Sequence, residues 1–240
     1  MKGVILAAGR GSRLGDATES LPKPLMAVAG RTCLDFAIEA LLAVADEVIV
    51  VTGYRAQLIE DHIAAEWPDA PVRTVRNAQL EAGNLTSLGA ARELIGDAPF
   101  VLTNADHLFP ADMYTRHFTT DVSGPTVAVA CERERPVLPD EMKVIEKDGA
   151  LQAISKTLPK YDGAYIGTTF VREAAREGYW AAFDRVRDTK DLATASVEMV
   201  LHELAQDEAT APQVRWLSGL KWFEVDTPED LAVARESLTA

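Results

Sequence analysis

Gly3-Val4-Ile5-Leu6-Ala7-Ala8-Gly9-Arg10-Gly11-Ser12-Arg13-Leu14-Gly15, continued by Leu21-Pro22-Lys23-Pro24-Leu25, is the stretch from which the rest of the chain can be read. Gly3 to Ala8 is apolar without alternation, as a strand buried on both faces of a parallel sheet requires. Gly9, Gly11 and Gly15 then free the backbone to bend and to approach a ligand, and loop N–H groups can form a nest for anions. Arg10 and Arg13 add fixed positive charge with a geometry suited to phosphate oxygens. Lys23 stands between two prolines, so its backbone is held extended and its ammonium is aimed with little freedom to lose. The combination predicts a polyphosphate site and, with it, a nucleoside triphosphate as ligand.

Familiar phosphate loops do not fit. The P-loop pattern G-x-x-x-x-G-K-[S/T] is absent. The dinucleotide fingerprint needs its third glycine one residue earlier, and Asp35, the acid at ribose-binding spacing, falls inside a predicted helix. A glycine-rich strand-to-helix turn with solvated arginines is the plain structural alternative.

Residues 1–30 carry four basic and two acidic side chains on a chain whose formal net charge is −13. That balance, with a pI near 4.8, argues against nucleic acid or anionic membrane as partners. With 240 residues and 48% hydrophobic content, one large domain or a domain with a small lobe is expected, its halves falling at about 1–125 and about 126–240. No run reaches the roughly 18 apolar residues of a membrane span, and no signal-peptide pattern precedes the first strand. A cytoplasmic protein is the expectation. Cys33 and Cys131 read as free core thiols. His62, His107, His117 and His202 show no zinc-ligand spacing.

Strands at 48–51, 72–76 and 99–103 alternate with helices at 33–45, 57–66 and 85–95, the last with Asn84 available as N-cap. This succession predicts an α/β fold, a doubly wound, mostly parallel sheet with helices on both faces. Strands at 127–131, 142–146, 151–154 and 165–171, with an Asp148-Gly149 hairpin turn, predict a small β-rich extension. Helices at 173–184 and 195–205, strands at 214–217 and 222–225, and a helix at 228–236 close the chain.

Asp106 ends a predicted strand, where open α/β sheets bind ligands. A carboxylate there suits Mg²⁺, which takes hard oxygen ligands; a turn or cap aspartate is the plainer reading. In Val225-Asp226-Thr227-Pro228-Glu229-Asp230, Thr227 reads as N-cap, Pro228 as the first helical residue and Asp230 as the capping-box acid. Asp226 is left over at the strand end, placed to share a cation with Asp106. Asn77, Gly83, Asn84 and Ser87 form a polar cluster able to meet a base or ribose, or simply to cap a helix. Lys143, Lys156 and Glu141 lie on the extension, where they either face an acceptor phosphate or are ordinary exposed strand residues. Arg133 and Arg135 read as a solvated charge run, Tyr165 and Trp222 as core or cleft wall.

The segment Leu6–Leu14 followed by Pro22-Lys23-Pro24-Leu25 resembles the signature of the sugar-phosphate nucleotidyltransferases. Asn84 and Ser87, Leu102–Leu108 with Asp106 beside His107, Glu141-Met142-Lys143-Val144, Ile154-Ser155-Lys156 and Trp222–Thr227 are most similar to the inositol-1-phosphate cytidylyltransferases, over essentially the full chain. The resemblance implies a Rossmann-like nucleotidyltransferase fold in which Gly9, Arg13 and Lys23 grip the triphosphate. It places Leu6, Ala7, Ala8 and Gly11 with the nucleotide, Asn84 and Ser87 near cytosine, Mg²⁺ on Asp106 and Asp226, and Lys143, Lys156 and Glu141 at the acceptor. That family is often fused to a membrane phosphotransferase, which these residues do not contain. Where the family commonly has Val-Asp-Thr-Gly, this chain has Tyr165-Ile166-Gly167-Thr168, and Gly163–Gly167 leans toward the phosphocholine and phosphonate cytidylyltransferases.

The expected reaction is attack of an acceptor phosphate on the α-phosphorus of CTP with release of pyrophosphate; Arg13 and Lys23 are the catalytic cations and myo-inositol-1-phosphate is the first acceptor to consider. Phosphocholine, a phosphonate, or a hexose-1-phosphate with UTP or dTTP are the alternatives. A catalytically silent nucleotide or sugar-phosphate sensor and an NAD-dependent oxidoreductase are readings of a different class. A homo-oligomer stays open.

Overall fold

A computed structural model of the chain describes residues 1–11, 13, 21–118 and 126–239; Ser12, Leu14 and Gly15 of the opening motif lie outside the described residues. The chain opens with β1 (Lys2–Ala7), turns at Lys23–Leu25, and forms a short hairpin of β2 (Ala27–Val28) and β3 (Arg31–Thr32). It then alternates α1 (Cys33–Leu42), β4 (Glu47–Thr52), α2 (Ala56–Glu66), β5 (Val72–Arg76), α3 (Asn84–Ile95) and β6 (Phe100–Asn104). Next come β7 (His107–Leu108), α4 (Met113–His117), β8 (Ala128–Glu132), β9 (Lys143–Lys147), β10 (Ala150–Ser155) and β11 (Gly163–Val171). The chain ends with α5 (Arg176–Thr189), α6 (Val197–Leu204), β12 (Gln213–Trp216), β13 (Phe223–Glu224) and α7 (Pro228–Thr239).

One sheet runs through both halves in the order β5-β4-β1-β6-β11-β8-β12-β10-β9. β5, β4, β1 and β6 run parallel to one another, while β11 is antiparallel to both β6 and β8. The unbroken apolar run of β1 has a direct cause: Val4 and Leu6 enter one core, Ile5 and Ala7 the other. Helices α3, α5 and α6 cover the first face, and α1 and α2 the second. The helical stripe Leu34, Ala37, Ile38 and Leu41 of α1 is at most 2% exposed, which is why that segment holds as a helix against the sheet. A third, smaller core joins Met26, Val28, Cys33, Leu108, Val225, Leu231 and Ala234. It fastens α7 and the β7–β13 pair behind the ends of β1 and β6.

Asp148 and Gly149 both take positive φ, 54° and 83°, as the two central residues of a type I′ hairpin turn must. β11 pairs β9 through its first residues, β6 through its last, and β8 through both. The register shift between Tyr165 and Thr169 contains Gly167 at φ 73°. Sequence periodicity does not show β2, β3, β7 or α4, which are too short to register a period. The helix expected from Glu173 begins as a 3-10 turn at Glu173–Ala175 and runs on to Thr189.

Candidate active site

Four segments far apart in the chain meet beyond the ends of β1 and β6. The Nζ of Lys23 lies 2.6 Å from Asp106 Oδ2 and also bonds Asp226 Oδ1. Arg13 reaches Asp226 Oδ2 at 2.8 Å and Asp140 Oδ2 at 2.7 Å. Lys23, only 7% exposed, opens the 3-10 turn Lys23–Leu25; Pro22 before it is extended, not Lys23 as expected, because the first N–H groups of such a turn need no partner inside it and Pro24 is tolerated there. Burial pulls the Lys23 pKa down, but Asp106 and Asp226 outweigh it and the net shift is upward from 10.5. For Asp106, burial favours the neutral acid; Lys23 and His107 reverse this and hold the carboxyl well below 3.8. Gly11 has φ 66° and a Cβ there would fall 2.7 Å from Lys23 Cβ, so glycine is needed for both backbone and space. Arg10 turns away to Glu81 at 3.0 Å.

Leu6, Ala7, Gly9, Gly11, Arg13 and Lys23 line a pocket of about 260 Å³ that Asp106 and Asp226 close. It shares Leu6, Gly9, Arg13, Asp106 and Asp226 with a larger cleft of about 510 Å³, to which Ala8, Asn84 and Ser87 contribute. Leu6, Ala7, Ala8, Gly9, Gly11, Asn84 and Ser87 thus all line these two adjoining pockets. One detail differs. Asn84 does not cap its own helix, where Gly83 holds the cap position with no side-chain bond. Its Oδ1 instead accepts the N–H of Val197 at 2.9 Å, tying α3 to the start of α6. The reason is close approach: a Cβ on Gly83 would lie 1.9 Å from the carbonyl oxygen of Ala195. Ser87 is 5% exposed and its Oγ accepts from Asn77 Nδ2 at 3.0 Å. Asp35 has no place here; it completes the capping box of α1 with Thr32.

At the far end of the cleft Glu141 and Lys156 form part of the wall. The Glu141 carboxylate is held by Arg135 and by Leu138 N–H. Arg135, read as solvated, is instead bound to Glu132 and Glu141 and lies over Trp222 at 5.2 Å. Lys143 does not reach the cleft. It is 8% exposed and donates to the carbonyls of Pro139 and Lys156, each at 2.9 Å, with Leu138 and Glu141 at 3.3 and 3.4 Å. An inward-facing strand lysine meets this end by bonding backbone, so Lys143 fastens the 138–141 loop rather than facing a ligand.

Asp140, Thr194, Ser196, Glu198 and Glu224 also line the cleft, and no local sequence signal marks them. His107, 4% exposed, bonds Asp106 Oδ1 through Nδ1 at 2.7 Å. Asp106, His107 and Glu224 each present a ligand atom within 4.8 Å of the others, a grouping made by β7–β13 pairing that linear spacing cannot reveal. Burial raises the Glu224 pKa above 4.5, with Asp106 and Asp226 adding to it against His107. Burial lowers that of His107, and Glu224 and Asp106 more than restore it, so the net shift from 6.5 is upward. Cys33 is pushed up to about 12, by burial first and Asp106 second; it is a protonated core thiol and no nucleophile.

The parallel strands of a mixed sheet collect a glycine-bearing loop, two cations and two carboxylates at their ends, where open α/β sheets bind ligands. Residues 3–158, more than half of the chain, match the MobA-like NTP transferase domain family. The chain belongs to that family and is a nucleotidyltransferase domain. Among curated relatives, the "Bifunctional IPC transferase and DIPP synthase" of Rubrobacter xylanophilus is 32% identical over 238 residues, 97% of this chain and 50% of that protein. The chain spans about half the length of the curated relatives it matches. Among solved structures, the inositol-1-phosphate CTP transferase from T. maritima superposes with a TM-score of 0.83 at 19% identity, covering 99% of this chain and 95% of that one. The CTP:phosphocholine cytidylyltransferase from Streptococcus pneumoniae gives 0.79 at 22% identity, with 99% and 98% covered. At these identities the likeness shows the nucleotidyltransferase fold. Among the described residues no helix is long and apolar enough to cross a membrane.

Proposed function

We propose that this domain transfers CMP from CTP to a small phosphorylated alcohol, inositol-1-phosphate first, and releases pyrophosphate. The observation that carries the reading is the convergence of Arg13, Lys23, Asp106 and Asp226 at the mouth of the 260 Å³ pocket. An acceptor phosphate oxygen forms a bond to the α-phosphorus as the bond to the bridging oxygen of pyrophosphate breaks. The nucleophile is already an anion, so the protein supplies position and charge rather than a base. Arg13 and Lys23 offset the charge of the two approaching anions. Lys156, exposed on the cleft wall, is the cation available to an acceptor phosphate.

Asp106 and Asp226 are the residues that would hold Mg²⁺. One ammonium already touches both carboxylates, so a single cation can reach both, and carboxylate oxygens are the ligands that ion prefers. When bound, Mg²⁺ would lower the repulsion between the reacting phosphates. Lys23, relieved of its carboxylates, then has its ammonium for the triphosphate.

The test is pyrophosphate release with Mg²⁺ over a grid of four nucleoside triphosphates against inositol-1-phosphate, phosphocholine, 2-aminoethylphosphonate, glycerol phosphate and hexose-1-phosphates. Turnover with CTP and inositol-1-phosphate is expected. Turnover only with UTP or dTTP and a hexose-1-phosphate would keep the chemistry and overturn the cytidylyl assignment; silence across the grid would favour a nucleotide or sugar-phosphate sensor.

A further inference from the structure

The imidazole of His107 is held on every side. Trp222 stacks on it at 5.5 Å between ring centres with 4° between the planes, and Phe109 lies at 5.9 Å. Gly167 takes φ 73°, and a Cβ there would fall 2.6 Å from Nε2. Glu224 is opposite His107 in the β7–β13 pair, with Oε1 4.0 Å from Nε2. Nδ1 meets Asp106 Oδ1 at 2.7 Å. A carboxylate only accepts hydrogen bonds, so the Nδ1 proton is the one shared with Asp106.

We propose that His107 is the positioning residue of Asp106, with Glu224 holding the far side of the ring, so that Glu224, His107 and Asp106 act as one orienting unit for the bound cation. The proposal rests on the reading of Asp106 as a cation ligand. Its basis is how the Asp106 oxygens are divided. Oδ1 is bound to His107, and Oδ2 is bound to Lys23 at 2.6 Å, on the side of Asp226. An unsupported carboxylate can rotate about its last bond; one fixed at Oδ1 keeps Oδ2 turned toward the shared cation position. The ring that fixes it cannot tilt, because an aromatic plane, a backbone without Cβ and a strand-paired carboxylate bound it. Partners that orient a metal ligand in this way typically change metal affinity or activity about 10–100-fold when removed.

The test uses the full chain and a pair of near-isosteric variants. In His107→Asn the amide N–H₂ can take the place of Nδ1 and still reach Asp106. In His107→Gln it takes the place of Nε2 and turns to Glu224. Mn²⁺ binding is followed by the EPR signal of the free ion, and kcat and KM for CTP are measured beside it, after thermal melts show that each variant is folded. Expected is near wild-type Mn²⁺ affinity for His107→Asn and about a 10–100-fold loss for His107→Gln, with kcat falling and KM for CTP little changed. Glu224→Gln, on a partly exposed side chain, should give a smaller loss of the same kind and serves if a His107 variant does not fold. Equal affinity in the His107 variants, or a loss in Asn without one in Gln, would overturn the positioning role. Asp106→Asn separates the two ideas. If it leaves Mn²⁺ binding intact, the cation reading itself fails. If it abolishes binding while His107→Gln and Glu224→Gln do not weaken it, only the positioning unit fails.

Discussion

Lys23 is the residue on which the site turns. Its ammonium is enclosed by two carboxylates, so removing it does two things at once: it takes away a phosphate cation and leaves Asp106 and Asp226 facing one another. Lys23→Met should lower kcat by about 10²-fold or more, the scale of losing one preorganised electrostatic group. Steady-state kinetics with a far-UV spectrum to establish folding would check this, and a rate within a few-fold of wild type would remove Lys23 from the mechanism. Gly11→Ala acts on the same side chain from beneath. A left-handed φ of 66° and a contact of 2.7 Å with Lys23 Cβ both oppose any Cβ. The expected outcome is about 1–3 kcal/mol of lost stability, read by urea unfolding, together with a raised KM for CTP.

At the scale of elements, two contacts decide whether the cleft keeps its shape. The approach of α3 to the 192–197 segment depends on Gly83, where an added Cβ would fall 1.9 Å from the Ala195 carbonyl oxygen. Gly83→Ala should push the two apart, break the bond from Val197 N–H to Asn84, and raise KM for CTP more than it changes kcat. An unchanged KM would disconnect this wall from the nucleotide. On the opposite face, Asp35 joins the start of α1 to His62 and Trp67, at 2.8 and 2.9 Å. Burial pushes its carboxyl up, but the bonds from His62, Trp67 and Thr32 outweigh that and leave it below 3.8. A group with a depressed folded pKa stabilises above its unfolded value and loses that contribution as pH falls through the folded one. Wild-type stability should therefore drop as pH falls below about 4, and Asp35→Asn should flatten that part of the curve while lowering stability at pH 7. Chemical unfolding at several pH values measures both; an acid limb of equal steepness in the variant would show that Asp35 does not contribute to it.

At the scale of the molecule, β11 belongs to both halves, pairing β6 with its last residues and β9 with its first. One core likewise holds Val4 and Leu6 together with Val144, Tyr165 and Val214. A chain so joined should unfold in one cooperative step. Trp67 reports from the N-terminal half of the chain, and Trp180, Trp216 and Trp222 from the C-terminal half. Tryptophan fluorescence and far-UV circular dichroism should give coincident urea transitions. Two separated transitions would show two independently folding halves.

Much of this could be read along the chain. Strand β1, the Asp148-Gly149 hairpin and the Thr227–Asp230 capping box follow from local rules: period, glycine restraint, and side chains that bond backbone a few residues away. Arg13, Lys23, Asp106 and Asp226 were legible as candidates because each stands at or near the end of a predicted element or phosphate-type loop. Which residues meet across the cleft was not legible. Lys143 and Lys156 look alike in an alternating pattern, yet only Lys156 lines the cleft, because Lys143 finds four carbonyls at the end of its hairpin. Asn84 reads as the cap of its own helix and bonds another. Glu224 reaches His107 only through a two-residue strand pair fastened by the small core of Val28, Leu108, Val225 and Leu231. The amino-acid sequence by itself determined the elements and the charge at their ends, since those depend on neighbours in the chain. The tertiary structure alone decided the partners, since they depend on strand order and on which faces must be buried against each other.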